Sequence, residues 1–288
     1  MNDIFDFEKK IDDYAVMGNP ITHSKSPRIH SLFAEQTGQT IHYAAIQVDS
    51  GGFKQAVGNF EVNGGKGLNI TVPFKQEAYA LANELSERAE RAGAVNTLQF
   101  KNNTLFGDNT DGVGLVNDLV NNNQVILKGK RILLMGAGGA ARGVLLPLLS
   151  KQPATVMIVN RTATKAIELA EHFKDSGSVL GCGYEKLTDL SEKPFDVIIN
   201  ATAASLQGEL PPLPDKIVTE ESCCYDMMYG AKPTPFMQWA KEQDVAKILD
   251  GLGMLVEQAA ESFYIWRGVR PNTHVVIELL RKELMAAQ

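Results

Sequence analysis

The chain of 288 residues is poor in cysteine: Cys182, Cys223 and Cys224 are all it holds. An odd number in a long chain is no disulfide framework, and no Cys-x-x-Cys occurs. Cys223-Cys224 is expected to fill a buried strand. The five histidines keep no metal-ligand spacing, so no metal is expected. No apolar run approaches the roughly 18 residues that span a bilayer, which excludes a membrane-spanning helix. There is no lysine- or arginine-rich tract and the net charge is −6, so the electrostatic footprint of a nucleic-acid binder is missing. The stretch Met1 to Asp13 is acidic and lacks a basic segment followed by an apolar one. It reads as a polar leader or short helix rather than a signal peptide, and the expected location is cytoplasmic. Internal repeats and low-complexity segments are lacking as well.

What remains is an ordinary globular composition, 44% hydrophobic and 22% charged, with length enough for two domains. Short apolar runs alternate with helix-like segments, which predicts α/β architecture with parallel sheets and right-handed crossovers. One stretch is most informative. Ile132-Leu133-Leu134-Met135 reads as a strand, Gly136-Ala137-Gly138-Gly139-Ala140-Ala141 as a turn, the segment to Ser150 as a helix, and Thr155 to Val159 as a second strand. Gly136, Gly138 and Ala141 fit the G-x-G-x-x-G/A spacing of dinucleotide-binding folds. The first permits a tight turn, the second lets backbone approach a pyrophosphate, and the third lets helix pack on strand. The helix N-terminus then offers free N–H groups to phosphate. A plain turn is the alternative for the glycines alone. Pro147 is expected to kink this helix.

The second strand ends at Asn160-Arg161-Thr162, with Lys165 a turn later. An NAD site places a carboxylate there for the ribose hydroxyls. Its absence, with a guanidinium beside it, points to NADP(H), whose 2′-phosphate an arginine can pair. The bland alternative is a solvated charge. Met227 and Gly251 also follow candidate parallel strands, on the edge where such sheets hold ligand.

The N-terminal half carries a second cluster. Ser24 and Ser26 straddle Lys25 before a helix that Pro27 opens; they form an anion cradle, or Ser26 caps the helix. Asn69 and Thr71 alternate with apolar residues, so both are expected on one strand face. Lys75 falls in the next helix's first turn, where the dipole opposes a cation. It is a surface lysine, or one whose proton affinity is put to use. Helices are expected to continue to about Arg91, with Glu87 an ordinary helix charge. Lys101-Asn102-Asn103 reads as a hairpin turn. Asp111 stands where an N-cap would, a role compatible with chemistry.

Taken in order, the chain resembles the shikimate dehydrogenase family over nearly its full length. The resemblance rests on Ser24-Lys25-Ser26-Pro27, Asn69-x-Thr71-x-Pro73-x-Lys75, Gly93-Ala94-Val95-Asn96-Thr97, Gly107-Asp108-Asn109-Thr110-Asp111-Gly112 and the glycine loop. It continues through Asn160-Arg161-Thr162, Asn200-Ala201-Thr202, Tyr225-Asp226-Met227-x-Tyr229 and Gly251-x-Gly253-Met254-Leu255-x-x-Gln258. It implies NADPH-dependent reduction of 3-dehydroshikimate to shikimate by two α/β domains with a cleft between them. The division implied is a substrate domain over 1–111, a Rossmann-type NADP domain over 112–250, and C-terminal helices over 251–288 that return to the first. By resemblance, Lys75 and Asp111 are catalytic. Ser24, Ser26 and Tyr229 take the substrate carboxylate; Asn69, Thr71, Asn96, Asp111 and Gln258 meet or order the ring oxygens. Glu87 is carried as a cofactor-side residue with the glycine loop. The expected partner is this small molecule alone, with the protein a monomer or homodimer. Two rivals stand: a quinate/shikimate dehydrogenase using NAD, disfavoured by the missing acid after Asn160-Arg161, and a dinucleotide-sensing regulator, which has no need of Lys75 and Asp111 together. Methylenetetrahydrofolate dehydrogenase also uses a lysine, but the Ser24/Ser26 pair does not suit its bulky substrate.

Overall fold

A computed structural model describes residues 11–190, 193–202, 204, 208–214 and 216–286. Most of the expected leader lies outside this range. The first half runs β1 (Asp12–Gly18), α1 (Ser26–Thr37), β2 (Ile41–Gln47), α2 (Phe53–Val62), β3 (Gly67–Ile70), α3 (Lys75–Leu81), β4 (Glu84–Leu85), α4 (Glu87–Ala92), β5 (Thr97–Lys101) and β6 (Thr104–Asp108). Helix α5 (Asp111–Asn117) leads to β7 (Arg131–Met135), α6 (Gly139–Leu149), β8 (Thr155–Val159), α7 (Ala163–His172), β9 (Val179–Cys182), α8 (Leu187–Leu190) and β10 (Val197–Asn200). Then follow β11 (Cys223–Asp226), α9 (Pro235–Glu242), β12 (Lys247–Asp250), α10 (Leu252–Arg267) and α11 (Thr273–Ala286).

The strands form two sheets, ordered β2-β1-β3-β5-β6-β4 and β12-β11-β10-β7-β8-β9. Every neighbouring pair of the second sheet is parallel. Its order runs outward both ways from β7 and β10, so the crevice of a doubly wound sheet opens there. Strand β7 is buried along Ile132 to Met135, as a sheet covered on both faces requires. Cys223 and Cys224 lie in β11, buried and unpaired.

The first sheet departs from the expectation of parallel sheets throughout. Strand β5 is antiparallel to both β3 and β6, whereas β1 is parallel to β2 and β3. The cause is the tight β5–β6 connection, where Asn102 and Asn103 take φ of 52° and 59°, the left-handed pair of a hairpin turn. The helices expected from Lys75 to about Arg91 are α3 and α4, with a short strand between them. The chain leaves α3 to make β4 beside β6, and restarts at Ser86, whose side chain accepts from the Ala89 N–H.

Helix α6 continues through Pro147. The missing N–H leaves the Gly143 carbonyl without its helical donor. Gly112 of α5 lies against both, and a Cβ there would fall 2.5 Å from the Gly143 oxygen and 2.6 Å from the Pro147 ring. A side-chain-free residue therefore accommodates the irregular turn.

Apolar clusters cover both faces of the parallel sheet, and another packs on the mixed sheet. A further cluster joins α1 to α10 and α11 through Ile29, Phe33, Val256, Phe263 and Leu280, so the last two helices pack with the first half of the chain. Helices α5 and α10 touch where Gly114 faces Met254 and Gln258. No helix of the described residues is long and apolar enough to cross a membrane.

Candidate active site

A cavity of about 330 Å³ opens between the sheets. Its wall includes Ser24, Ser26, Asn69, Thr71, Lys75, Asn96, Asp111, Tyr229 and Gln258, the nine positions expected to hold a substrate. They converge because they stand at or near element ends facing one crevice: the β1–α1 loop, the end of β3, the first residues of α3 and α5, the loop before β5, the loop after β11, and the second turn of α10.

Lys75 Nζ lies 2.6 Å from Asp111 Oδ2, with the two side chains 30% and 15% exposed. The amine is thus tethered yet still open to the cavity. The other Asp111 oxygen accepts from Asn96 Nδ2 at 2.8 Å. Asn96 is itself fixed, donating to Thr110 Oγ1 and accepting from the Thr110 N–H, both at 2.9 Å. Both ionic groups sit in first helical turns, and neither is a cap. The N-cap positions are Phe74 and Thr110, and Asp111 spends its carboxylate on Lys75 and Asn96 instead.

At the other end of the cavity, Ser24 Oγ accepts from the Ser26 N–H at 3.3 Å. Ser26 does not cap α1; Lys25 holds that position, and its own side chain makes no cap bond. Burial, and then the nearby Asp250 carboxylate, pushes the Tyr229 phenol up, so its hydroxyl keeps its proton. Gln258 holds its Nε2 on the Leu255 carbonyl at 2.7 Å, leaving its oxygen toward Asn96.

A second hollow, about 540 Å³, adjoins the first. Val72, Pro73, Gln76, Ala92 and Ala94 line one side; Ala137, Gly138, Gly139, Ala140, Arg142, Lys165 and Glu168 line the other. Lys75 borders both hollows. Nothing lies within 4 Å of a Cβ built on Gly138 or Gly139, so the N-terminus of α6 faces open space. Gly136 takes φ of +106°, and a Cβ there would fall 3.1 Å from the Ala201 carbonyl oxygen, so the turn needs glycine. The loop and its uncapped helix fit the diphosphate of a dinucleotide, with Lys165 on the same wall.

The remaining expected residues are placed less simply. Asn160 bonds the Thr162 carbonyl at 3.0 Å; Arg161 and Thr162 stand exposed beyond β8, outside the hollow's wall. Met227 and Gly251 border the first cavity rather than the second. Their backbones touch, since a Cβ on Gly251 would meet the Met227 oxygen at 2.1 Å. Glu87 is exposed on α4 and borders neither hollow, which counts against a cofactor role. The inward residue there is its neighbour Arg88, bonded through two nitrogens to Asp108 at 2.7 Å.

Sequence reasoning missed Arg142, Tyr43 and Ser262. Arg142 shared a signal with Lys75, a cation in a first helical turn. Ser262 lies four residues beyond Gln258 on the same helix face. Nothing local marked Tyr43, which is partly buried and donates to Asn69 Oδ1 at 2.7 Å.

A doubly wound sheet with an open glycine loop, set across a crevice from a carboxylate-tethered lysine, defines a two-lobed dinucleotide-dependent oxidoreductase. Residues 16–98 match the family profile described as shikimate dehydrogenase substrate binding domain, 118–207 that of shikimate / quinate 5-dehydrogenase, and 251–281 that of shikimate 5'-dehydrogenase C-terminal domain. The chain belongs to the shikimate dehydrogenase family. It is 57% identical to the shikimate dehydrogenase (NADP(+)) of Cellvibrio japonicus over 95% of this chain and 98% of that protein. Among solved structures it is similar to an Ael1 enzyme from Pseudomonas putida, with TM-score 0.89 and 46% identity over 93% of this chain and 98% of the other. It is likewise similar to the Thermus thermophilus shikimate 5-dehydrogenase solved with NADP(H) and shikimate. There the TM-score is 0.82 and the identity 31%, over 95% and 100% of the two chains.

Proposed function

We propose that the chain catalyses the reversible, NADPH-dependent reduction of 3-dehydroshikimate to shikimate. The observation that carries this reading is the Lys75–Asp111 pair at 2.6 Å, where the substrate-sized cavity meets the dinucleotide hollow. The lobe built on 12–111 and closed by 251–286 takes the acid; the parallel sheet between them takes the cofactor.

When bound, NADPH supplies the hydride to the ketone carbon. The Gly138–Ala140 loop and α6 N-terminus would hold its diphosphate, with Arg161 and Lys165 at its 2′-phosphate. The chain's own task is the proton. Lys75 gives one to the ketone oxygen in reduction and takes it back in oxidation, help typically worth about 10²–10⁴-fold. Asp111 aims the ammonium and accepts from a ring hydroxyl; Asn96 fixes Asp111. The Ser24, Ser26 and Tyr229 hydroxyls receive the carboxylate as neutral donors, so the anion is held beside an anionic cofactor without adding a fixed charge. Thr71 and Gln258 meet the ring oxygens.

Spectrophotometric formation of NADPH from shikimate and NADP⁺ tests the reading, with quinate and NAD⁺ as comparators. Turnover of shikimate with NADP⁺ far above the other pairings is expected. No turnover of either acid with either cofactor would remove it.

A further inference from the structure

We infer that Tyr43 and Ser262 lock the Asn69 carboxamide in one orientation, so that Asn69 meets the bound acid as a hydrogen-bond acceptor and selects a hydroxyl at that ring position. The inference rests on the proposed reaction and names how one wall of its cavity reads the substrate.

Asn69 closes the cavity at the end of β3 and is 6% exposed. A carboxamide has two N–H donors and an oxygen with two lone pairs. Here Nδ2 reaches three acceptors: Ser262 Oγ at 3.0 Å, and Thr97 Oγ1 and the Asn96 carbonyl, each at 3.3 Å. Both protons are therefore committed. Oδ1 accepts one bond, from Tyr43 Oη at 2.7 Å, and keeps one lone pair.

The flipped amide is disfavoured by its neighbours. It would turn Oδ1 toward the Asn96 carbonyl, acceptor against acceptor. The hydroxyls offer no rescue without loss. Thr97 Oγ1 and Ser262 Oγ lie 2.7 Å apart, so one donates to the other. If Thr97 donates, the Ser262 proton goes to the Gln258 carbonyl at 3.1 Å; if Ser262 donates, the Thr97 proton goes to Asn96 Oδ1 at 2.9 Å. A flipped Asn69 oxygen would have to take the Ser262 proton from the Gln258 carbonyl or the Thr97 proton from Asn96 Oδ1, breaking a bond that the present orientation keeps. Ser262 is fully buried and Thr97 nearly so, so no water substitutes.

Tyr43 is held as firmly. Its ring stacks on His30, with centroids 4.2 Å apart and 7° between planes. Burial pushes its phenol well up, so the donor proton stays in place. The only bond Asn69 can still form is one it accepts. A ring hydroxyl satisfies it; a keto, ether or fluorine at that position does not.

Tyr43 and Ser262 are thus positioning residues, and the test separates them from plain structural support. In the full-length enzyme, Tyr43→Phe and Ser262→Ala are each expected to raise KM for shikimate about tenfold, the worth of one hydrogen bond. kcat stays within about threefold and KM for NADP⁺ is unchanged. The wild type is expected to use shikimate at least about tenfold better than one of the analogues carrying fluorine for a non-reacting ring hydroxyl, and both variants to lose that discrimination. Where Ser262→Ala fails to fold, Tyr43→Phe carries the test. Unchanged KM for shikimate in the variants, or a wild type indifferent to fluorine at every ring position, overturns the lock while leaving the reaction standing. The lock is also read without turnover, from solvent exchange of the Asn69 carboxamide protons by NMR: slow in the wild type, faster in Ser262→Ala. Fast exchange in the wild type overturns it. A wild type that oxidises no shikimate removes the reaction instead, whatever the exchange shows.

Discussion

His30 should make the protein acid-sensitive. The residue lies fully buried in α1, stacked on Tyr43 and tilted against Phe263 and Trp266, and neither ring nitrogen has a hydrogen-bond partner among the described residues. Burial pushes its imidazole down to about 3, and the nearby Asn69 side chain, short of full hydrogen-bond geometry, offsets this only in part. An unfolded histidine titrates near 6.5. With the folded value below the unfolded one, the unfolded chain binds the extra proton as pH falls. Stability is therefore full above about pH 6.5 and drains between that pH and about 3. At about pH 5 the unfolded histidine is protonated and the folded one is not, a gap of about 1.5 pH units at 1.36 kcal/mol each, or about 2 kcal/mol. At roughly 2–4 °C per kcal/mol this lowers Tm by about 4–8 °C relative to about pH 8. Other groups titrate over the same range, so the informative quantity is a difference of differences. Thermal unfolding of the wild type and His30→Phe, which keeps a flat ring against Tyr43, is followed at both pH values. The variant is expected to lose about 4–8 °C less than the wild type between them. Equal losses in the two proteins would refute the reasoning.

The remaining expectations concern the cofactor and the helix crossing. Arg161→Asp is expected to weaken NADP⁺ binding by about ten- to a hundredfold in titration calorimetry, the worth of a charge-assisted bond, with NAD⁺ affected far less. Equal loss for both cofactors would leave Arg161 an ordinary surface charge. Gly114→Ala would place a Cβ 2.7 Å from the Gln258 backbone nitrogen and 2.8 Å from the Met254 carbonyl. Backbone cannot swing aside, so α5 and α10 must part, at a cost of about 1–3 kcal/mol by denaturant unfolding. In contrast, Gly58 of α2 has no atom within 4 Å of its built Cβ. Gly58→Ala is expected to stabilise by about 0.5–1 kcal/mol.

The residues proposed to carry chemistry were legible because they sit where local signals are strongest. Asn69, Lys75 and Asp111 stand at the ends of short elements, which glycine, proline and alternating apolar residues mark in the chain. The same holds for the glycine loop, whose strand and helix flank it within a few residues. What escaped depends on distant partners. Strand β4 exists because Glu84 and Leu85 pair with Phe106 and Gly107. Strand β9 tolerates Gly181 because its backbone presses on Ala166, where a Cβ would come within 2.3 Å of the carbonyl oxygen. Ser262 meets Asn69 across 193 positions of chain. Spacing shows no such encounter. Glu87 rested on the resemblance alone: the first turn of α4 turns that side chain to solvent, and its neighbour Arg88 is spent on Asp108.

The proposed proton transfer rests on the amine of Lys75, and its removal is the most direct measurement. Steady-state kinetics of Lys75→Ala with shikimate and NADP⁺ should show kcat reduced by about 10²–10⁴-fold, with KM for shikimate changed only several-fold. A normal kcat with a greatly raised KM would contradict this, making Lys75 a group that holds the acid and moves no proton.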